Sequence, residues 1–344
     1  MTLLATTEEF LFSFHGLGLR YSTSSQAFLS PVSTFLAHFR QDRLQSAPAL
    51  EIHFDEVACR ADVPVRWSPT ARRLFSGTRP SLGDAMRSLW QCDVVQDGTR
   101  LIIDLHDQGV LEIDGLQGRA TGYIIRPDAM HPDVRESFFH YVLAELLKRR
   151  NLFTLHATAV EYGGRGVLIP GYSGRGKTTA FLSLLRAGFR YLSDDHPLLR
   201  EEGGRLELLA FPMKIDVTEH SVKFFPELRT AAPGILKQGV YKKFFQAEDL
   251  FPNSIGRSCE PAMILFPQVS DMPHSCLEPL SKSRALEAIM PQAMLVYDQE
   301  VAAREFRMLS KLIQQVACYR LHFGRDILDL PNLIAPLLER SHAA

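Results

Sequence analysis

Gly171-Tyr172-Ser173-Gly174-Arg175-Gly176-Lys177-Thr178 has the spacing Gly-x4-Gly-Lys-Thr of a phosphate-binding loop. Such a loop constrains the fold because a strand must enter it and a helix must leave it. Its glycines let backbone N–H groups curl around phosphate oxygens, and the helix start adds its dipole. Both flanks are legible here. Gly166-Val167-Leu168-Ile169-Pro170 reads as a buried strand, and Thr179-Ala180-Phe181-Leu182-Ser183-Leu184-Leu185 reads as a helix that Gly188 stops. The nucleotide-binding set is therefore Gly171, Ser173, Gly174, Arg175, Gly176, Lys177, Thr178 and Thr179. Lys177 reaches the β and γ oxygens of ATP or GTP, and the Thr178 hydroxyl takes a Mg²⁺ position.

The flanking segments extend this pattern. Leu152–Tyr162 and Gly166–Pro170 are two strand-like runs joined at Gly163-Gly164-Arg165, a hairpin signal. Beyond the helix, Phe189-Arg190-Tyr191-Leu192-Ser193 reads as a strand that runs into Asp194-Asp195. Carboxylates at a strand end beside a phosphate loop suit Mg²⁺, a hard ion held by a carboxylate, a hydroxyl, phosphate oxygens and water. One aspartate can hold the metal and the other can take a proton from an attacking hydroxyl. The structural alternative is Asp194 capping a turn before His196-Pro197.

The remaining sequence sets the scale. A chain of 344 residues, 46% hydrophobic and 22% charged, can bury a full core and is expected to form two domains. In residues 1–130, short apolar runs such as Glu51–Phe54, Thr99–Leu105, Gly109–Asp114 and Ala120–Ile125 alternate with turn residues, so a strand-rich N-terminal domain is expected, with one helix near Val32–Phe39. Prolines at 127 and 132 mark a linker, and Val134–Arg149 follows with apolar residues at helical spacing and a basic finish, Lys148-Arg149-Arg150, suited to a helix C-terminus. The expected second domain is 134–344. A net charge of −1 gives no global pull toward nucleic acid or an anionic membrane. No apolar run reaches the ~18 residues of a membrane span, and the Met1–Glu9 start lacks a secretory signal, so a cytoplasmic protein is expected. The five cysteines lack metal or disulfide spacing and read as free thiols.

The stretch from His156 to Asp195 resembles the catalytic core of HPr kinase/phosphorylase. It carries a histidine before a glycine hairpin, then Gly-x-Ser-Gly-x-Gly-Lys-Thr, a helix ending in Ala-Gly, and Asp-Asp at the next strand end. It is similar in particular to the HPr-kinase-related proteins, including those encoded with modified-peptide pathways. That superfamily shares its core with the nucleotide-binding lobe of phosphoenolpyruvate carboxykinase. The resemblance implies an α/β phosphate-loop core of that type, with ATP and Mg²⁺ as cofactors. It implies that Lys177 holds phosphates, Thr178 and Asp195 hold Mg²⁺, and Asp194 is the base toward a serine hydroxyl on a peptide or protein. His156 is placed beside the γ-phosphate or the incoming nucleophile, and a homo-oligomer is an option because the related enzymes assemble. The Glu-x-Arg signature of the HPr-specific enzymes is not found at the corresponding place, where Phe211-Pro212-Met213-Lys214-Ile215-Asp216-Val217 stands instead. HPr itself and the reverse reaction therefore fall outside the expectation.

Three lysines are further candidates for contacts to substrate. Lys214 can offer a point charge though not the fork of an arginine. Lys242 and Lys243 lie in the basic–aromatic run Tyr241-Lys242-Lys243-Phe244-Phe245, which reads equally as a solvated basic turn. The expected activity is an ATP-dependent kinase acting on a serine hydroxyl. A small-molecule hydroxyl kinase, or a non-catalytic nucleotide-binding module, would use the same loop.

Overall fold

Alternating apolar residues in the first half build a nine-stranded sheet. The computed structural model describes residues 7–79, 90–130, 132–172, 174–230, 236–237, 240–293 and 297–340, so Ser173 of the loop lies outside the described residues. The chain divides into two compact units, Met1–Asn151 and Leu152–Ala344. Across the sheet of the first unit the order is Arg40–Gln41, Glu8–Phe14, Leu17–Thr23, Leu50–Val57, Arg119–Ile125, Gly109–Asp114, Arg100–Asp104, Trp90–Asp97 and Arg72–Arg79. Phe12, Phe14, Leu19, Tyr21, Ile52 and Phe54 are buried at alternate positions, as a one-faced core requires. A helix spans Gln26–Phe35 and a short 3₁₀ turn spans Ala37–Phe39, so the helix expected near Val32–Phe39 starts earlier.

The expected domain boundary in the proline-marked segment is corrected by the helix Pro132–Arg149, which groups with the first unit. Its Phe139 ring packs edge-on to Tyr21 at 5.4 Å and near Phe54 at 6.4 Å, so its apolar stripe completes the core of the first sheet. Pro132 marks the start of that helix, where a missing N–H costs nothing, and does not mark a domain border. The basic finish is partly internal: Lys148 is fully buried and donates to Glu145 at 2.9 Å, and Arg149 reaches the same carboxylate.

The second unit is built around a mixed sheet. In chain order we label β1 Ala157–Tyr162, β2 Arg165–Pro170, α1 Lys177–Arg186, β3 Arg190–Ser193, β4 Ile215–Thr218, α2 Glu219–Phe224, β5 Val240–Phe245, β6 Ser258–Val269 and β7 Ala317–Phe323. Gly163 and Gly164 both have positive φ, +57° and +79°, giving the primed turn that closes the β1–β2 hairpin. β1 lies between β2 and β3 and is antiparallel to both, so β2 and β3 run the same way. β6 is parallel to β2 and to β7. This topology brings Pro170, Ser193, Phe323 and the start of β1 to one end of the sheet. Both faces are buried: Val167 and Ile169 pack with α1, while Leu168 and Ala159 pack with the helices Lys282–Ile289 and Gln299–Gln315. A separate three-stranded sheet has the order β4, β5, Leu236–Lys237. Among the described residues no helix is long and apolar enough to cross a membrane.

Candidate functional site

The loop after β2 departs from regular structure because its glycines adopt backbone angles that other residues avoid. Gly171, Gly174 and Gly176 have φ of +155°, +80° and +90°. A side chain on Gly176 would also meet the Phe323 ring at 3.2 Å. Gly176 offers no side-chain cap to α1, so the first helical N–H groups are left to whatever the loop encloses. Lys177 opens the helix; its side chain is 8% accessible, and its ammonium donates to the Gly171 carbonyl. Thr178 and Thr179 are partly exposed beside it, and Gly174 and Arg175 are exposed.

β3 and β1 deliver the other groups to the same sheet end. The Lys177 ammonium lies 3.3 Å from His156 Nε2, and that same nitrogen lies 3.0 Å from Asp195 Oδ1. One ring nitrogen cannot serve both neighbours. Protonated, Nε2 donates to Asp195; bare, it accepts from Lys177. His156 thus couples the ammonium to the carboxylate. The turn after β3 is closed by the His196 N–H donating to Ser193 Oγ at 3.1 Å, which removes the need for Asp194 as its cap. Asp194 is held from β1 instead. Thr158 Oγ1 donates to the Asp194 carbonyl at 2.8 Å and lies 3.2 Å from its Oδ1.

The two aspartates are electrostatically unlike. Burial, then the charge of Asp195, pushes the Asp194 carboxyl up to about 7, with Asp216 adding to the rise while Lys177 and Thr158 oppose it. For Asp195, burial also opposes ionisation, but the charge and hydrogen bond of His156, with His196 and Lys177, outweigh it and hold the carboxyl well below the ordinary range. Solvent reaches 43% of the Asp195 side chain, so that pairing is screened and stabilises the fold only modestly. His196 lies 3.8 Å from Asp195 Oδ2, and its burial lowers its pKa.

The donor set matches the groups the sequence implies. An ionised, solvent-accessible carboxylate and a partly exposed threonine hydroxyl are hard oxygen donors of the kind Mg²⁺ takes, and the hydrogen bond from His156 is the outer support such a carboxylate needs. The left-handed glycines and uncapped helix start suit a phosphate chain.

Short polar contacts join His156 to Lys177 and to Asp195, while Asp194 is held by Thr158 and Tyr191 and feels Asp195 and Lys177 through their charges. Of the three candidate lysines, Lys214 lies over the Phe244 ring at 5.8 Å and Lys243 pairs with Glu219 at 3.1 Å. Sequence reasoning passed over Thr158, Tyr191, His196 and Asp216. Thr158 stands two residues from His156, the spacing that places strand neighbours on one face. Tyr191 carried a weaker signal, a hydroxyl in an otherwise apolar strand.

Tyr191 is fully buried, and its hydroxyl makes three contacts: it donates to the Met213 carbonyl at 3.1 Å and accepts from the Met213 N–H at 3.1 Å and the Asp194 N–H at 3.2 Å. Tyr191→Phe keeps the ring and orphans those two N–H groups, so urea unfolding should show a loss of about 1–3 kcal/mol. A change within the error of the measurement would mean that the hydroxyl is not organising this corner.

No protein-family model matches the chain, and no curated protein matches it. Solved structures include a distant likeness, the Hpr(Ser) kinase/phosphatase from Coxiella burnetii, at 16% identity, with 55% of this chain and 96% of that chain covered and a TM-score of 0.29. At that similarity the reading of the site rests on its own residues.

Proposed function

We propose that the chain is an ATP-dependent phosphotransferase that moves the γ-phosphoryl group to a serine hydroxyl of a peptide or protein. One observation supports this reading: the Lys177 ammonium and the Asp195 carboxylate meet at His156, and the neighbouring Asp194, a carboxyl of opposite character, feels the charges of both. A module that only bound nucleotide would not need a carboxyl poised near neutrality beside an ionised one.

In this reading the protein's part is positioning and charge neutralisation. The loop N–H groups and the Lys177 ammonium hold the phosphates. Thr178 and Asp195 hold Mg²⁺, which when bound neutralises charge on the phosphate oxygens. Asp194, raised to about 7, accepts the hydroxyl proton as the oxygen attacks, while Thr158 fixes its orientation. His156, with Nε2 protonated, donates to Asp195 and keeps it ionised.

The test is a change of mass. Purified protein incubated with Mg-ATP and a pool of serine peptides is expected to add one phosphate to a serine, located by fragmentation. Transfer to small alcohols but to no peptide, or tight ATP binding without turnover in any mixture, would displace the proposal.

A further inference from the structure

The three-stranded sheet begins beside the aspartate pair. Because the Tyr191 hydroxyl touches the main chain of both Asp194 and Met213, the chain leaves the site at Met213 and enters β4 just after Lys214. Along β4, Ile215 and Val217 enter the core, which leaves Asp216 and Thr218 on the other face, where both are partly exposed. The register carries that face onto β5. Phe244 lies opposite Asp216 and Lys242 opposite Thr218, while Phe245 and Lys243 lie opposite Ile215 and Val217. Lys243 is therefore on the core side, where Glu219 pairs with it. Lys242 is partly exposed on the outer face and forms no ion pair or hydrogen bond among the described residues. The Phe244 ring is 36% exposed, with the Lys214 ammonium over it.

We infer that this outer face docks an acidic segment of the acceptor peptide, an inference that rests on the phosphoryl-transfer reading. The charges are graded along the strands. At the reacting end stands Asp194, which favours an uncharged residue bearing a hydroxyl. Phe244 follows with an apolar surface, and Lys242 lies two residues further along β5, about 7 Å away at strand rise. A chain laid along this face meets Asp194, then the level at which Asp216 and Phe244 face each other with the Lys214 ammonium over the ring, then the Lys242 ammonium. A peptide with a serine, an apolar residue and then glutamate or aspartate complements that order. A uniform polyanion such as nucleic acid would set its charge against Asp194 and Asp216.

The experiment is fluorescence anisotropy with the full chain and labelled serine peptides. Each carries a glutamate pair three and four residues before or after the serine, and each has a glutamine counterpart. In one of the two orientations the glutamate peptide should bind about two- to fivefold more tightly at low salt, the range expected of exposed ion pairs. Lys242→Gln should abolish that preference and Lys242→Arg should keep it. Lys223→Gln, which removes the same charge from an exposed position on α2, should leave the preference intact. Equal binding of glutamate and glutamine peptides by the wild type, or an undiminished preference in Lys242→Gln, overturns the docking face. Mass spectrometry of the same mixtures with Mg-ATP separates the two ideas. Charge-selective binding without phosphate transfer keeps the face and removes the kinase reading, and transfer without charge preference does the reverse.

Discussion

Lys177→Ala is expected to lower turnover about a thousandfold or more while weakening nucleotide binding far less. The migrating phosphoryl group spreads negative charge over its oxygens in the transition state, and a positioned cation in a water-poor site is worth several kcal/mol there. On the phosphoryl-transfer proposal, Lys177 is placed for that task. It opens α1, is 8% accessible, and its ammonium is fixed by the Gly171 carbonyl and by contact with His156, so little reorganisation is needed when charge develops. Backbone N–H groups of the loop remain in the variant and continue to hold the phosphates, which is why binding and turnover should separate. Lys177→Arg should not restore the rate, because a planar fork replaces a compact charge. Single-turnover rates together with titration of a fluorescent ADP analogue would measure both quantities. A variant that keeps a tenth of the wild-type rate would remove the ammonium from the mechanism.

Asp194→Asn should slow transfer about 10²–10⁴-fold, the usual worth of a general base, and should make the folded protein more stable. The two effects share one cause. Burial and the charge of Asp195 raise the Asp194 carboxyl from 3.8 to about 7, so over that window the folded chain holds a proton that the unfolded chain has released. Stability therefore falls as pH rises from about 4 to about 7, and asparagine escapes that loss. The advantage of Asp194→Asn should be small near pH 4, grow through the window, and level off above it at about 2 kcal/mol. For the wild type, the rate should rise roughly tenfold per pH unit below about 7 and flatten above, whereas the variant's residual rate should lack that step. Denaturant unfolding and single-turnover rates at pH 5 and pH 8 would read both. A variant that is less stable than wild type at pH 8 would contradict the electrostatic account of the site.

Short-range patterns carried most of the local structure. The strand, glycine turn, strand, glycine-rich loop and helix between residues 157 and 186 were legible because each depends on neighbours: period-two burial, φ-positive glycines, and an apolar helix face. Asp194-Asp195 at the end of β3 was legible for the same reason. The boundary at Asn151 was not, because Pro132 carries one local meaning, the start of a helix, and only packing against Tyr21 and Phe54 reveals to which sheet that helix belongs.

The sequence alone determined the order lysine, threonine and paired aspartates along a glycine-rich loop and the next strand. Which of them meet was decided by the tertiary structure, since β1 lies between two strands that run opposite to it and so brings His156 and Thr158 to the loop and the carboxylates. The difference between the two aspartates was decided there as well. Adjacent, chemically identical side chains diverge because burial opposes ionisation of both, while the first also meets a neighbouring negative charge and the second meets the charge and hydrogen bond of a histidine. Such surroundings come from segments distant along the chain, and no local pattern encodes them.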